Sequence, residues 1–280
     1  MKTDIRGISH NSATWIVAVS LMMASSAEAS NERVNAFFEA QGCAIGPSTI
    51  AAAIVDGIDL PTIQAYAKTV RADPKTVVTG DWLVLAPDAC TIRPPVVKSE
   101  IAMSDPEVIQ NLSAIDAYAK DGDIGCFLNG DGLVASLETS RKWTNDEALL
   151  KYLRFLSASI SSGELSFYSP DPLHTPPGFI ATRGKCAETP RMPDIVHSHD
   201  LLVRHFDALI RADAAGGASC DDDTVPSWKF NEVAQRIFGY KPLNAFLGSE
   251  IRFMAIGGGW FDGTTARRQG SPRPPLCHYK

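Results

Sequence analysis

Three histidines near residue 200 have the side-chain type and the close spacing of a transition-metal site. His197 and His199 form a His-x-His pair, and His205 follows six residues later. Imidazole nitrogens are common zinc ligands, and a neighbouring carboxylate such as Asp200 can orient a ligating ring. The sequence therefore allows a zinc-dependent hydrolase of the periplasm that uses His197, His199 and His205.

The same segment also has the pattern of an ordinary helix start. Ser198 suits the N-cap of a helix that begins near Asp200, where an acidic side chain interacts favourably with the helix dipole. His205 would then lie on that helix six residues after His199, whereas residues that share a helical face are three, four or seven apart. This alternative predicts no metal and no other cofactor.

A glycine-rich segment at residues 257–263 is the second candidate site. A phosphate-binding loop leads into a helix whose N-terminus faces the phosphate, but here a short polar stretch and then prolines follow. We expect instead a mobile loop that exposes Trp260 and Phe261. Arg267 and Arg268 would add a basic patch, so the sequence predicts that these four side chains contact a binding partner.

Familiar catalytic motifs do not occur in the sequence. It contains no Gly-x-Ser-x-Gly turn, no His-Glu-x-x-His motif, and no serine with a lysine three residues later. The absence of these motifs from the sequence favours a non-catalytic function over the hydrolase.

The candidate sites belong to a chain with an internal repeat. Superimposing Cys43 on Cys126 aligns residues 43–87 with residues 126–170 without a gap. In both copies a glycine, Gly80 or Gly163, begins a Gly-acidic-apolar-x-apolar-x-small-Pro motif that suits a buried strand. A third and more divergent copy begins at Cys220, where residues 248–253 take the place of the strand motif.

The six cysteines follow this repeat. Six cysteines allow 15 pairings in an exported chain, and the repeat favours pairing within each copy. Each such disulfide closes a loop of roughly 50 to 60 residues and stabilises the fold by about 4 kcal/mol on the chain-entropy model. The predicted pairs are Cys43–Cys90, Cys126–Cys186 and Cys220–Cys277.

Each copy has the pattern of a helix, a cysteine, two further helices, a strand and a second cysteine. Apolar residues four apart, such as Leu133 and Leu137, indicate the helices, and Thr144 or Asn145 suits the N-cap of one of them. A unit of this size buries little core, so disulfides must add stability. We predict an α+β fold of three tandem disulfide-stapled helix-helix-strand modules, at residues 30–95, 96–193 and 194–280.

The unit that ends in Gly-x-x-Leu-x-Leu-x-Pro at residues 80–87 resembles the second half of LysM glycan-binding modules. The chain shows no sign of the opening strand of that family, and its cysteines do not fit the family pattern. No binding residue is therefore transferred from the family to this chain.

Residues 1–29 have the pattern of a secretory signal peptide. Two basic residues precede an uncharged apolar stretch at residues 14–24, which is shorter than the roughly 20 residues that a membrane-spanning helix needs. Ala27 and Ala29 supply the small residues of a cleavage site. We expect cleavage after Ala29, no stable membrane insertion of the mature chain, and a periplasmic or secreted location.

Charge and architecture narrow the possible partners. The formal net charge of −6 at pH 7 argues against nucleic acid as a partner, because phosphate binding requires a basic surface. Our first hypothesis is an exported, non-catalytic binding or adaptor protein of the bacterial envelope, with a protein or an envelope glycan as its partner. Insertions at residues 171–184 and 257–276 would form the contact surface. A purely structural envelope component is a further alternative.

Overall fold

The structure is a computed structural model that describes residues 31–113, 125–169, 173, 177–214, 220, 230–238 and 244–277. The described part combines helices with small antiparallel sheets, which confirms the mixed α and β class. The predicted signal peptide at residues 1–29 lies outside the described residues.

The first segment places two helices beside a three-stranded sheet. Its elements are α1 at residues 31–39, β1 (Ala44–Ile45), α2 (Pro47–Val55), α3 (Leu60–Ala72), β2 (Val77–Thr79) and β3 (Trp82–Val84). The strands lie in the order β1-β3-β2, and both pairings are antiparallel. Asp59 starts α3, because its carboxylate accepts a hydrogen bond from the backbone N–H of Thr62 at 2.9 Å.

The second segment has a longer pair of helices and a four-stranded sheet. Its elements are α4 (Pro106–Gln110), β4 (Leu112–Ser113), β5 (Phe127–Leu128), α5 (Gly130–Arg141), α6 (Asn145–Ser161), β6 (Leu165–Tyr168), β7 (Gly178–Ala181) and a 3₁₀ helix (Gly184–Glu188). The strand order is β4-β5-β7-β6, again antiparallel throughout. Thr144 caps α6 in a reciprocal capping box with Glu147, so it is the N-cap of the two, Thr144 or Asn145, that the sequence allows.

The described part of the third segment is helical except for a short hairpin. Its elements are α7 (Met192–Arg204), α8 (Phe206–Ala214), α9 (Phe230–Phe238), α10 (Leu247–Gly257), β8 (Phe261–Asp262) and β9 (Ser271–Pro272). Residues 248–253 lie in α10, so the prediction of a strand there is wrong. Ile251 and Phe253 alternate as in a strand, but Leu247, Ile251 and Met254 also fit one helical face, and that face is buried.

A short strand follows the first cysteine in each of the first two segments. The carbonyl oxygen of Cys43 accepts a hydrogen bond from the N–H of Leu85 at 2.9 Å, and that of Cys126 accepts one from the N–H of Ala181 at 2.8 Å. The sequence showed no opening strand, so that expectation is wrong. Strands β1 and β5 have two residues each, which is too few to produce an alternating pattern.

Strand pairing does not match the sequence alignment of the first two segments. The sequence aligns residues 82–84 with residues 165–167. In the structure residues 82–84 form the central strand β3, whereas residues 165–167 lie in the edge strand β6. The two interior strands of the second sheet are β5 and β7, and β7 lies inside the predicted insertion at residues 171–184. Short apolar runs look alike in sequence, and only their hydrogen-bonded partners distinguish a central strand from an edge strand.

The structure contains three disulfides, and they are the pairs that the repeat predicts. They join Cys43 to Cys90, Cys126 to Cys186 and Cys220 to Cys277.

The three segments pack against one another around a shared core. The hydroxyl of Ser157 on α6 donates to the carbonyl of Met254 on α10 at 2.7 Å, in a buried contact. The N–H of Ile92 donates to the carboxylate of Asp207 at 2.7 Å, which links the first segment to the third. Within the described ranges, none of the helices has the length and apolar character that crossing a membrane requires.

Candidate functional site

A groove of about 620 Å³ lies where the second and third segments meet. One wall consists of the end of α6, the start of β6 and the end of β7, and the other wall is α7. The volume lies within the roughly 300–1,000 Å³ that is typical of small-molecule sites. The groove is therefore the candidate functional site.

The turn after α6 shapes the floor of the groove. Gly163 has a φ angle of +69°, which residues with a side chain rarely adopt. A Cβ atom at this position would lie 3.3 Å from Cδ2 of His199. The carbonyl oxygen of Gly163 also accepts a hydrogen bond from the hydroxyl of Thr182. Glycine is thus required both by the backbone conformation and by the close approach of the imidazole ring.

His199 is the most buried titratable side chain that lines the groove, and only 8% of it is exposed. Burial lowers the pKa of His199 below its usual value, and the nearby carboxylate of Asp200 opposes this shift. The ring is therefore neutral at pH 7. Its Nδ1 atom and the buried hydroxyl of Ser161 have no hydrogen-bond partner among the described residues.

The charged residues of the groove fall into two groups. Arg183 is already bound, because its guanidinium donates to Glu164 at 3.1 Å and to the carbonyl of Ser162 at 3.0 Å. Asp200 and Arg204 lie one turn apart on α7 and are exposed. Neither makes a hydrogen bond or an ion pair with another described residue. The groove therefore offers a ligand one carboxylate and one guanidinium.

Apolar side chains form the rest of the lining. Leu165 and Ile195 are buried, while Val196 and Val203 on α7 are partly exposed toward the groove. A ligand with an apolar portion would remove this surface from water, which is favourable by roughly 25 cal/mol per Å².

A buried carboxyl group lies behind the groove. Glu250 on α10 is fully buried and accepts hydrogen bonds from the N–H of Phe167 at 2.9 Å and from the hydroxyl of Ser166. The side-chain amide of Asn244 donates to the carbonyl of Phe167 at 3.1 Å. Burial raises the pKa of Glu250 to about 7, although the hydrogen bonds from Ser166 and Phe167 oppose the shift. Ser166, which lines the groove, is thus held by a carboxyl group and lacks the imidazole base of a typical serine nucleophile.

The structure does not bring the three predicted zinc ligands together. His197 and His199 are two residues apart on α7, which turns by about 100° per residue, so His197 is exposed and His199 is buried. His205 lies just beyond the end of the helix. No group of three or more His, Cys, Asp or Glu side chains in the described part is placed to hold a metal ion. The predicted helix start at Ser198 is also wrong, because α7 begins at Met192.

The glycine-rich loop differs from its prediction. Trp260 is fully buried and Phe261 is only 4% exposed, so the expectation that the loop exposes them is wrong. The indole of Trp260 packs 5.9 Å from the guanidinium of buried Arg273. The backbone carbonyl of Trp260 also accepts a hydrogen bond from the backbone N–H of Arg273. These aromatic rings therefore complete the core. Arg267 and Arg268 are exposed, and their role in binding stays a prediction.

Sequence reasoning found His199 but missed the residues that face it across the groove. Ser161 and Ser162 lie at the end of a helix, where such residues are common and carry no distinctive spacing. Thr182 and Arg183 belong to the predicted contact segment at residues 171–184, and both line the groove. Part of that segment, at residues 171–172 and 174–176, lies outside the described residues.

Comparisons with protein-family models, with curated proteins and with solved structures found no match for this chain.

Proposed function

We propose that this protein is an exported, non-catalytic binding or adaptor protein of the bacterial envelope, built of disulfide-stapled repeats, and that the groove holds part of its protein or glycan partner. The observation that carries the proposal is the groove itself. Its walls combine apolar surface with the exposed charged side chains of Asp200 and Arg204.

The disulfides support the exported location. All six cysteines are paired, and disulfides of this kind persist in oxidising compartments such as the periplasm or the medium. A cytoplasmic chain would keep these thiols reduced. The predicted signal peptide at residues 1–29 points to the same location.

Strand register supports a repeat of the first two segments. In the first sheet, β1 and β2 both pair with β3, and their residues meet at Leu83. In the second sheet, β5 and β6 both pair with β7, and their residues meet at Phe179. Val78 opposes Leu83 as Phe167 opposes Phe179, so Val78 and Phe167 are equivalent positions. The ring of Phe167 packs against Phe246 and Phe253 of the third segment, whereas Val78 is 54% exposed. The two proposed copies therefore have different surroundings, as expected of a duplicated binding module.

The polar contacts favour binding over hydrolysis. The hydroxyls of Ser166 and Thr182 are committed to Glu250 and to a backbone carbonyl, so neither is activated for attack. The rotation of His197 away from His199 likewise removes the arrangement that the hydrolase would need. What stays available in the groove is the capacity to hold a ligand.

Filling the groove tests the proposal. Val203 lines it and is partly exposed, so Val203→Trp should block the groove while the helix remains intact. Val55→Trp is the matched control, because Val55 is 90% exposed and does not line the groove. Tagged mature protein is crosslinked in envelope extracts, and the captured partner is quantified. We expect Val203→Trp to reduce the amount of captured partner by at least about tenfold, whereas the control should capture as much as the unmodified protein.

Two results would contradict the proposal. One is equal capture by both variants when their thermal unfolding transitions match that of the unmodified protein. The other is a stoichiometric zinc ion in the native mass spectrum that disappears with His199→Ala, since this would move the zinc-dependent hydrolase ahead of the binding protein.

A further inference from the structure

The chemistry of the groove specifies a class of ligand, and this inference rests on the proposed binding function. Asp200 and Arg204 are four residues apart on α7, so both project from the same helical face. Both line the groove. Their charges are opposite, and neither is used in a hydrogen bond or an ion pair with another described residue. A ligand that enters the groove therefore meets a carboxylate at one point and a guanidinium one turn further along.

The third charged residue of the groove does not alter this balance. The guanidinium of Arg183 lies 3.1 Å from the carboxylate of Glu164 and also donates to the carbonyl of Ser162. Its charge is compensated and its position is held against the wall. His199 is neutral, so it adds hydrogen-bonding capacity without charge. The charges left for a ligand are the single negative one of Asp200 and the single positive one of Arg204.

Apolar surface lies beside the two charges on the same helix. Val196 precedes Asp200 by four residues and Val203 precedes Arg204 by one, and both valines line the groove with Leu165 opposite. A purely ionic ligand would gain nothing from this surface, and a purely apolar ligand would bury the two charged groups without partners at a cost. The lining matches a small molecule that carries both charges and an apolar side chain.

We infer that the groove binds a zwitterionic ligand of the amino-acid or short-peptide class, with its ammonium group at Asp200, its carboxylate at Arg204 and its apolar side chain against Val196 and Val203. Arginine is well suited to the carboxylate end, because its fork of N–H donors matches the two carboxylate oxygens.

The test uses the full mature protein and the dipeptide alanyl-leucine as the probe. Binding is followed by isothermal titration and by amide shifts of the groove residues in NMR spectra. We expect saturable binding of the dipeptide. Acetylating its amino group or amidating its carboxyl group should each weaken binding by about tenfold or more, because each removes one charge-assisted contact.

Variants assign each end of the ligand to one side chain. Asp200→Asn should weaken binding of the free dipeptide but have little effect on binding of its acetylated form, which has already lost the ammonium group. Arg204→Gln should weaken binding of the free dipeptide but have little effect on binding of the amidated form, which has already lost the carboxylate. Arg191→Gln and Asp194→Asn are the matched controls, since these residues form an exposed ion pair on the same helix outside the groove. Both controls should bind the dipeptide as the unmodified protein does.

The outcomes separate this inference from the proposed function. Equal affinity for the free and the blocked dipeptides, or the absence of saturable shifts in the groove, overturns the zwitterionic class. If Val203→Trp still abolishes partner capture in that case, the binding function stands and only the ligand class is wrong. The inference is supported if each blocked dipeptide binds more weakly than the free one and if Asp200→Asn and Arg204→Gln each weaken binding of the free dipeptide.

Discussion

Replacing Glu250 by glutamine tests how a buried carboxyl group joins the second and third segments. Its pKa is about 7 in the folded protein and 4.5 for the unperturbed group, so the unfolded chain loses this proton first as the pH rises. The contribution of Glu250 to the free energy of unfolding therefore falls between about pH 4.5 and pH 7 and is level above that window. A difference of roughly 2.5 pH units corresponds to about 3 kcal/mol.

Glutamine keeps the size of the side chain and stays neutral at every pH. Urea unfolding of the unmodified protein and of Glu250→Gln is measured at about pH 5 and about pH 8, so that all other titrating groups cancel in the difference. Relative to the unmodified protein, the variant should gain about 2.5 kcal/mol between the two pH values, because part of the full difference already lies below about pH 5. Glu188→Gln, at an exposed position, is the control and should show no such gain. A difference between Glu250→Gln and the unmodified protein that is the same at both pH values would refute the reasoning.

Three further changes probe the turn, the disulfides and the core. Gly163→Ala should cost about 1–3 kcal/mol in thermal unfolding, because of its positive φ and the contact with His199, and an unchanged transition would contradict this. Replacing Cys126 and Cys186 together by serine should lower the free energy of unfolding in urea by about 4 kcal/mol, and an equal midpoint would argue against the disulfide. Arg273→Met should lower the free energy of unfolding by about 3 kcal/mol, because it leaves buried carbonyl oxygens without a donor. Arg267→Met, at an exposed position, should leave the free energy of unfolding unchanged, and similar losses for both variants would contradict a structural role of Arg273.

Local patterns predicted the local elements well. Leu133 and Leu137 are buried on one face of α5, and the Thr144 cap begins α6 as expected. These features depend on side chains three or four residues apart, so a short stretch of sequence contains all the information that they need. The strand predicted at residues 248–253 failed because that stretch fits both periods, and the contact of α10 with α6 decided in favour of the helix.

The error at Trp260 also arises because sequence patterns describe only the residues nearby in the chain. Its glycine-rich neighbours indicate a loop, which is correct for part of that region, but they do not show what lies beneath the indole ring. The ring packs 6.0 Å from that of Phe206 and lies near Arg273, residues from other elements of the third segment. Exposure is set by such contacts between distant parts of the chain, and a local window cannot contain them.

The sequence by itself determined the helix pairs, the mixed α and β class and the disulfide pairs, because periodic apolar residues, caps and the equal intervals from Cys43 to Gly80 and from Cys126 to Gly163 are properties of the chain in one dimension. Only the tertiary structure decided which strand is central, which aromatic rings are buried and where a ligand can enter. The groove joins the turn at Gly163, the residues after β7 and the helix of His199, three stretches that come together only when the second and third segments pack. Its chemistry depends on distances in space, and spacing along the chain does not fix those distances.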